Sequence, residues 1–222
     1  MQIGILGATG PAGSGLAARL ASVGFDVIVG SRSKYKAMEV RDGLLEKWDG
    51  MGLSIEAADN EGAANAEIVV IATPWDAAAV TAKGVARQLQ GKVVISMANA
   101  LAKVGHEFQP LVPPRGSVAA SVQAAVPRSR VAAALHHVPA KELGDLREPV
   151  ESDVLVCSDH PSATETCLDI ISKIPNMRPL DAGELSNAAP IEAFAAVLLQ
   201  LNMRYKSKTR AAVKFIGIET DH

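Results

Sequence analysis

Three glycines near the start of the chain have the spacing of a phosphate-binding turn. They belong to a segment that follows a short apolar run and precedes a stretch of helical periodicity, Gly7-Ala8-Thr9-Gly10-Pro11-Ala12-Gly13. In such turns the first glycine permits a tight bend, the second lets the backbone approach a pyrophosphate, and the third lets helix and strand pack closely. The helix that follows also offers amides without intrahelical partners to an anion. The segment therefore predicts a dinucleotide site.

The residues after the second predicted strand indicate which dinucleotide binds. A site for NAD usually has an acidic residue about 20 residues after the glycines, where it accepts hydrogen bonds from the ribose 2′-hydroxyl. Here Ser31 and Arg32 stand in that place, and Lys36 follows one helical turn later. A hydroxyl and two cations suit a 2′-phosphate. The sequence therefore predicts NADP(H).

Apolar runs and helical stretches alternate along the first part of the chain, and this alternation must position those residues. The predicted strands are residues 2–6, Phe25–Val29, Glu67–Ala72, Lys92–Ser96 and Val131–Leu135, and the predicted helices are residues 13–23, Lys34–Lys47 and Trp75–Leu89. Strands and helices in this order predict a parallel sheet with helices on both faces. The expected fold is a doubly wound (Rossmann) α/β fold.

The composition becomes charged and irregular from Lys141 to Ser152, which suggests a domain boundary. We expect an NADP-binding Rossmann domain at residues 1–150 and a small C-terminal α+β domain at residues 151–222 that covers the substrate crevice. The elements predicted in the smaller domain are strands Asp153–Cys157 and Arg178–Ala182 and helices Pro161–Lys173 and Pro190–Leu201. The basic segment from Lys206 to Lys214 is expected to be a solvated surface.

Several motifs in one order make the chain resemble a known family. They are Gly7-Ala8-Thr9-Gly10, Gly30-Ser31-Arg32, Thr73-Pro74-Trp75, Ala134-Leu135-His136-His137-Val138-Pro139-Ala140 and the run from Arg178 to Asn187. Together they resemble the F420-dependent NADP oxidoreductases. That resemblance covers essentially the whole chain. It implies hydride transfer between reduced coenzyme F420, a deazaflavin, and NADP, by a homodimer.

The resemblance also implies roles for individual residues. Thr9, Gly10, Pro11 and Ala12 would meet the pyrophosphate, and Ser31, Arg32 and Lys36 the 2′-phosphate. The residues expected on the nicotinamide side or against the dinucleotide are Trp75, Asn99 and Ala140. His136 and Val138 would frame the deazaflavin as catalytic residues, and Ser186 and Asn187 are expected to contact F420 or to cap the helix that follows them.

The residues themselves leave other functions open. His136, after a predicted strand, could donate a hydrogen bond to a ring carbonyl in the crevice, or could be an ordinary buried histidine. His137 is expected in the core because alternate strand residues face opposite sides. An NADPH-dependent reductase of another acceptor, such as a flavin, an imine or a ketone, would use the same crevice. A protein that senses NADPH without turning it over is the third hypothesis.

Composition restricts the remaining classes of function. The chain has 222 residues and a net charge of −2, so no general basic field attracts nucleic acid or anionic lipid. Cys157 and Cys167 are expected to be reduced core thiols, and no metal-ligand spacing is present. The N-terminus lacks the features of a signal peptide and no apolar run reaches the length of a membrane span. We therefore expect a cytoplasmic protein with small-molecule partners.

Overall fold

A computed structural model describes residues 1–206 and 208–218 of the chain. Within them the strands are β1 (Gln2–Leu6), β2 (Asp26–Ser31), β3 (Ile55–Asp59), β4 (Ile68–Ile71), β5 (Val93–Ser96), β6 (Leu101–Val104), β7 (Glu107–Pro110), β8 (Arg130–Ala133), β9 (Ser152–Ser158) and β10 (Met177–Asp181). The helices are α1 (Pro11–Ser22), α2 (Lys34–Lys47), α3 (Asn60–Ala63), α4 (Trp75–Gly84), α5 (Ala86–Leu89), α6 (Val118–Ala125), α7 (Ala140–Leu143), α8 (Pro161–Ser172) and α9 (Ala188–Tyr205). A 3₁₀ turn at Leu185–Asn187 precedes α9.

Eight of these strands form one sheet in the order β10-β9-β8-β5-β4-β1-β2-β3. The six strands from β8 to β3 are parallel. Chain order reverses direction between β1 and β4, which is the topological switch point where doubly wound sheets bind ligands beyond the carboxyl ends of their strands. The predicted doubly wound α/β fold is confirmed.

Apolar side chains cover both faces of the sheet because its central strands carry almost no polar residues. On one face Ile3, Ile5 and Val70 pack with α1 and α8, and on the other Leu6, Val69 and Ile71 pack with α4 and α6. A strand buried on both faces reads as a continuous apolar run, which is why the central strands could be predicted.

The last two strands depart from the parallel arrangement. β9 pairs with β8 in the antiparallel sense, with Ala133 opposite Cys157, and β10 is parallel to β9. The segment between β8 and β9 carries only the short helix α7, and that helix packs on α1. Without a full crossover helix the chain returns antiparallel. The strands after residue 151 thus extend the same sheet, and the division into two domains remains a prediction.

Several elements were not predicted. β3 has the sequence Ile-Glu-Ala-Ala-Asp, which has little β-propensity, and it forms at the sheet edge because it pairs in register with β2. β6 and β7 form a separate antiparallel hairpin whose turn contains Gly105 with a φ of 59°. The helix predicted from Trp75 to Leu89 is interrupted at Val85.

Two hydrogen-bonded side chains fasten the C-terminal segment to the sheet. Asp153 is fully buried and accepts from Arg178 Nε (2.9 Å) and Arg178 Nη2 (2.6 Å), and its carboxylate also accepts from the Phe215 amide. Arg178 in turn donates to the carbonyls of Phe215 and Ile218. This ion pair, in which the carboxylate is buried and the guanidinium partly exposed, fixes the path of residues 213–218 beside β9 and β10.

Candidate active site

A groove of about 1260 Å³ lies at the carboxyl ends of β1 and β4. It sits at the switch point of the sheet. Every residue that the sequence predicted for the pyrophosphate and the 2′-phosphate lines it, namely Gly7, Thr9, Gly10, Pro11, Ala12, Gly13, Ser31, Arg32 and Lys36. These residues come from the β1–α1 turn and the end of β2, which are adjacent because β1 and β2 are paired. Their use as ligand contacts remains a prediction.

The three glycines have different structural roles. Gly7 has a φ of 77°, and a Cβ there would come within 2.5 Å of Thr73 Cγ2. At Gly13 a Cβ would come within 2.8 Å of Ala8 Cα. At Gly10 the backbone is extended and a Cβ would meet nothing within 4 Å. Folding thus requires glycine at positions 7 and 13. At position 10 the fold would accept a side chain, but that side chain would occupy part of the groove.

The N-terminus of α1 faces the groove with unused amides. Pro11 is the first helical residue, so no amide is lost there. Within the described residues the amides of Ala12 and Gly13 donate no hydrogen bond, and both residues line the groove. The positive end of a helix dipole and free amides make an anion site.

Two cations stand at the far end of the groove. Arg32 and Lys36 are exposed, and neither takes part in a salt bridge within residues 1–206 and 208–218. Ser31 is the buried last residue of β2, and its hydroxyl accepts from the Ser33 amide at 3.3 Å. Ser33 caps α2 by accepting from the Lys36 amide at 3.4 Å. The loop is therefore ordered by its own hydrogen bonds, while the two cations stay available to an anion.

Five further lining residues of the groove were not predicted as site residues from the sequence. Asp59, Asn60 and Glu61 come from the junction of β3 and α3, and Thr73 and Pro74 follow β4. Thr73 could have been inferred because it follows a strand that must lie beside β1 in a doubly wound sheet. The Asp59 group could not, because β3 itself was not recognised. Asp59 Oδ1 accepts from the Gly62 amide at 2.7 Å and so caps α3.

Buried polar atoms gather where β5 and β8 end. Asn99 Nδ2 donates to the His136 carbonyl at 2.7 Å and joins the loops after these two strands. His136 is 4% exposed. In the part of the chain that the structure describes, Asn99 Oδ1, Ser96 Oγ and the two ring nitrogens of His136 make no hydrogen bond of good geometry. The backbone of Met97 and Ala98 nevertheless lies close enough to the His136 ring to favour its protonated form. Unpaired buried polar atoms are costly unless a ligand or water meets them, so this cluster is a candidate floor for a polar ring.

β8 ends two residues earlier than predicted, which places the two histidines in a turn. Leu135 has a φ of 67°, a left-handed conformation that cannot continue a strand. His137 is buried, and its Nε2 accepts from the Leu155 amide on β9 at 3.4 Å. His137 thus has a structural partner, as a core residue would. His136 does not line the groove.

Both histidines are held neutral by burial. Desolvation, and the nearby His137, lower the pKa of His136 to about 3, and desolvation lowers the pKa of His137 to about 4. Unfolding exposes them to water, where a histidine titrates near 6.5, so below that pH the unfolded chain binds more protons. Their stabilising contribution is therefore complete above pH 6.5 and is lost as the pH falls toward these folded values.

Glu192 opposes this trend. Its carboxylate accepts from the amides of Val118 (2.8 Å) and Ala119 (3.0 Å) at the start of α6. Burial raises the pKa of Glu192 from 4.5 to about 7. Between these values the folded chain binds the extra proton, so this contribution to stability decreases as the pH rises.

Acidification destabilises the fold through the two histidines and stabilises it through Glu192, and we expect the effect of the two histidines to be larger. From pH 6.5 to pH 5 the free energy of unfolding should fall by about 2 kcal/mol. His137→Gln keeps an acceptor for the Leu155 amide but cannot titrate, so its stability should change little over this range. Urea unfolding at a series of pH values measures both slopes. The same slope in the variant as in the wild type would contradict the account.

The other predicted residues lie outside the groove. Trp75 packs partly buried against the apolar cluster of α4, and Val138 packs against the core on the α1 side of the sheet. Ser186 and Asn187 are exposed before α9 and line neither the groove nor the pocket described below. Asn187 Nδ2 donates to the Ala182 carbonyl at 2.6 Å, and its side chain does not cap α9. The 3₁₀ turn takes up the position where a cap would act, so the capping prediction is wrong.

A second pocket of about 740 Å³ lies between the β6–β7 hairpin and the end of α9. Ala140, predicted on the nicotinamide side, lines this pocket instead of the groove. The other lining residues are Phe108, Pro139, Lys141, Leu199, Asn202, Met203, Lys206 and Arg210. A Cβ on Gly15 of α1 would come within 3.1 Å of the Ala140 carbonyl oxygen. Helix α1, whose N-terminus borders the groove, thus packs closely on α7, whose first residues line the pocket.

Arg19 secures that packing and was not recognised in the sequence. Its buried guanidinium donates to the carbonyls of Leu143 (3.1 Å), Glu142 (3.0 Å), Asp145 (2.6 Å) and Glu148 (3.0 Å). Desolvation lowers the pKa of Arg19. One side chain of α1 thus donates hydrogen bonds to the carbonyl groups at and after the carboxyl end of α7, and it fixes α7 against α1.

We expect Arg19→Lys to destabilise the protein although the charge is retained. A lysine amine cannot donate hydrogen bonds to all four carbonyl groups that the planar guanidinium group reaches. The free energy of unfolding should therefore fall by about 1–2 kcal/mol. Urea unfolding at neutral pH measures this loss. Arg41→Lys is a matched control because, among the residues that the structure describes, the Arg41 side chain pairs only with its exposed neighbour Asp42. If both substitutions lower the free energy of unfolding equally, the proposed role of the Arg19 guanidinium group is wrong.

The described residues offer little other reactive chemistry. Cys157 and Cys167 are free and buried, and burial raises the pKa of each thiol to about 12, so both remain protonated. No group of three potential ligands that could hold a metal ion is found in these residues. Nor does any helix among them have the length and apolarity to cross a membrane. The groove and the adjacent pocket are therefore the candidate site.

Comparison with known proteins agrees with this geometry. Residues 2–100 match the family model described as NADP oxidoreductase, coenzyme F420-dependent. The F420-dependent NADP reductase of Methanocaldococcus jannaschii is 38% identical over an alignment of 213 residues, and the match covers 94% of this chain and 95% of that protein. The enzyme of the same name from Methanothermobacter thermautotrophicus is 35% identical, and the match covers 92% of this chain and 90% of that protein.

A solved structure supports the fold. The crystal structure of a putative F420-dependent NADP reductase from Arthrobacter sp. FB24 has a TM-score of 0.77 at 23% identity, and the match covers 92% of this chain and 95% of that one. The family model and the two relatives together show that this chain belongs to the coenzyme F420-dependent NADP oxidoreductase family.

Proposed function

We propose that this protein transfers a hydride between reduced coenzyme F420 and NADP, in either direction. The observation that supports it most is a groove that combines a helix N-terminus, a glycine with open space around it and two cations that form no salt bridge among the described residues. The acceptor is inferred from membership of the family, whose relatives carry that activity in their names.

The residues of the groove suit NADP(H) in a definite orientation. The amides of Ala12 and Gly13 would bind the pyrophosphate, and Arg32 and Lys36 the 2′-phosphate. Because the nucleotide runs across the switch point, its other end is directed toward Thr73 and the buried polar cluster of Asn99 and His136. Free Asn99 Oδ1 and the His136 ring nitrogens are suitable partners for polar groups of the two rings.

Catalysis by these residues consists of binding and alignment. When both are bound, NADPH supplies the hydride, and the oxidised deazaflavin takes it up with one proton from solvent. Holding two flat rings in contact provides most of the rate because the reaction requires no protein nucleophile. Burial keeps His136 neutral, so it can either donate or accept a hydrogen bond without adding a charge beside the rings.

We also propose that the protein is a homodimer in solution. Phe194, Val197, Leu201 and Tyr205 are exposed on α9 at spacings of three or four residues, which puts them on one face of the helix. Such an unpartnered apolar stripe suits burial against a second copy. Light scattering coupled to size exclusion should give twice the chain mass of 23.1 kDa. A monomer at micromolar concentration would contradict the dimer.

An acceptor panel tests the proposed reaction against its rivals. The protein should oxidise NADPH with F420 far faster than with free flavin, imines or ketones. Activity with free flavin alone would favour a different reductase. NADPH binding without turnover of any acceptor would favour the sensor hypothesis.

A further inference from the structure

The second pocket combines an apolar wall with a rim of cations. Its charged lining residues are Lys141, Lys206 and Arg210, and none of the carboxylates in the described residues lines it. Within residues 1–206 and 208–218 none of the three forms a salt bridge, and the Lys141 amine donates only to the Lys208 carbonyl at 3.3 Å. Three like charges around one pocket repel each other unless an anion lies among them.

Specific contacts hold the backbone of this rim in place. The Arg210 amide donates to Glu142 Oε1 at 2.7 Å. The Glu142 carboxylate thus accepts a hydrogen bond from the backbone of this segment. The Ala211 amide donates to Asn202 Oδ1 at 2.7 Å. Lys206 ends α9 in a left-handed conformation with a φ of 48°. Asp153 and Arg178 also hold residues 215 and 218, which follow in the chain. The backbone at Lys206 and Arg210 is therefore held in place by specific contacts on both sides.

The position of the pocket relates it to the proposed reaction. Pro139 and Ala140, which line it, come directly after His136 and Val138 in the chain. Its other walls are the β6–β7 hairpin and the last two turns of α9. A ligand whose ring meets the Asn99 and His136 cluster could therefore extend a long substituent into this pocket.

We propose that Lys141, Lys206 and Arg210 bind the anionic side chain of F420, and that the protein selects this deazaflavin by its phosphodiester and glutamate carboxylates. This inference rests on the proposed function. It departs from the sequence-based expectation that the segment from Lys206 to Lys214 is only a solvated surface. Cations without partners prefer oxygen anions, and guanidinium groups bind phosphates and carboxylates with two parallel hydrogen bonds.

Equilibrium binding of two deazaflavins tests the proposal. One is F420 and the other is the same deazaflavin without phosphate and glutamates, both followed by their fluorescence. We expect the double variant Lys141→Gln/Arg210→Gln to weaken F420 binding about tenfold, as two partly exposed charge pairs would. Binding of the side-chain-free deazaflavin should not change. Arg204→Gln removes a cation of α9 that does not line the pocket, so it is the control and should alter the binding of neither deazaflavin.

Salt provides an independent readout. Raising the ionic strength from about 0.05 M to about 0.5 M should weaken F420 binding by the wild type and have much less effect on the double variant. Equal effects of the variants on both deazaflavins, or an equal effect of Arg204→Gln, would overturn the site. If the wild type reduces the side-chain-free deazaflavin with NADPH, the proposed function stands whatever these variants do. Failure of the wild type to bind or reduce either deazaflavin would overturn both proposals.

Discussion

Gly10→Val should abolish tight NADPH binding while the protein remains folded. The position has extended backbone and no atom within 4 Å of a Cβ, so the fold accepts the larger residue. The valine methyl groups would occupy the space in front of the α1 amides, and the pyrophosphate would lose several hydrogen bonds to charged oxygens. We expect a loss of about 4 kcal/mol, which is roughly a thousandfold in affinity.

Calorimetric titration with NADPH and thermal unfolding without ligand measure the two parts of this prediction. Gly43→Val is the matched control, because Gly43 also has open space around a Cβ but lies in α2 away from the groove. Gly13→Val should behave in the opposite way and destabilise the fold, because its side chain would collide with Ala8. Full NADPH affinity in the Gly10 variant would contradict the assignment of the groove.

Arg32→Ala should weaken NADPH binding by roughly 1.5–3 kcal/mol, which is the scale of hydrogen bonds to charged groups. The effect should be confined to the 2′-phosphate, so NADH affinity should change much less. Because Arg32 is exposed and forms no salt bridge in the described residues, the substitution should leave stability nearly unchanged.

Lys34→Ala is the control for Arg32. It removes a neighbouring exposed cation that does not line the groove. NADPH and NADH titrations of the two variants separate a local contact from a general change in surface charge. If NADPH affinity is unchanged in the Arg32 variant, the prediction of a 2′-phosphate site is wrong.

The pyrophosphate half of the groove could be predicted because its residues are close in sequence. Gly7 to Gly13 form one turn, and the end of β2 follows from a single strand–helix–strand unit. The rest of the lining depended on strand order, and on β3, whose Glu and Ala residues form a strand only because β2 offers them an edge. Local propensity carries no record of such a tertiary partner.

Long-range contacts account for what the sequence did not reveal. In the sequence Arg19 resembles an exposed residue of an amphipathic helix. The four carbonyl groups that accept its hydrogen bonds, however, belong to residues 123 to 129 positions later in the chain. The second pocket joins a hairpin, α7, α9 and the C-terminal segment, which no spacing rule brings together. The expected role of Ala140 shifted to that pocket for the same reason.

Transfer of an isotopic label tests the central claim most directly. NADPH that carries deuterium at both C4 positions should be mixed with the protein and F420 in ordinary water, and the reduced F420 analysed by mass spectrometry and NMR. Direct hydride transfer predicts loss of the deazaflavin absorbance and one deuterium at C5 of the product. Absence of reduction, or reduced F420 that carries only solvent hydrogen, would contradict the account.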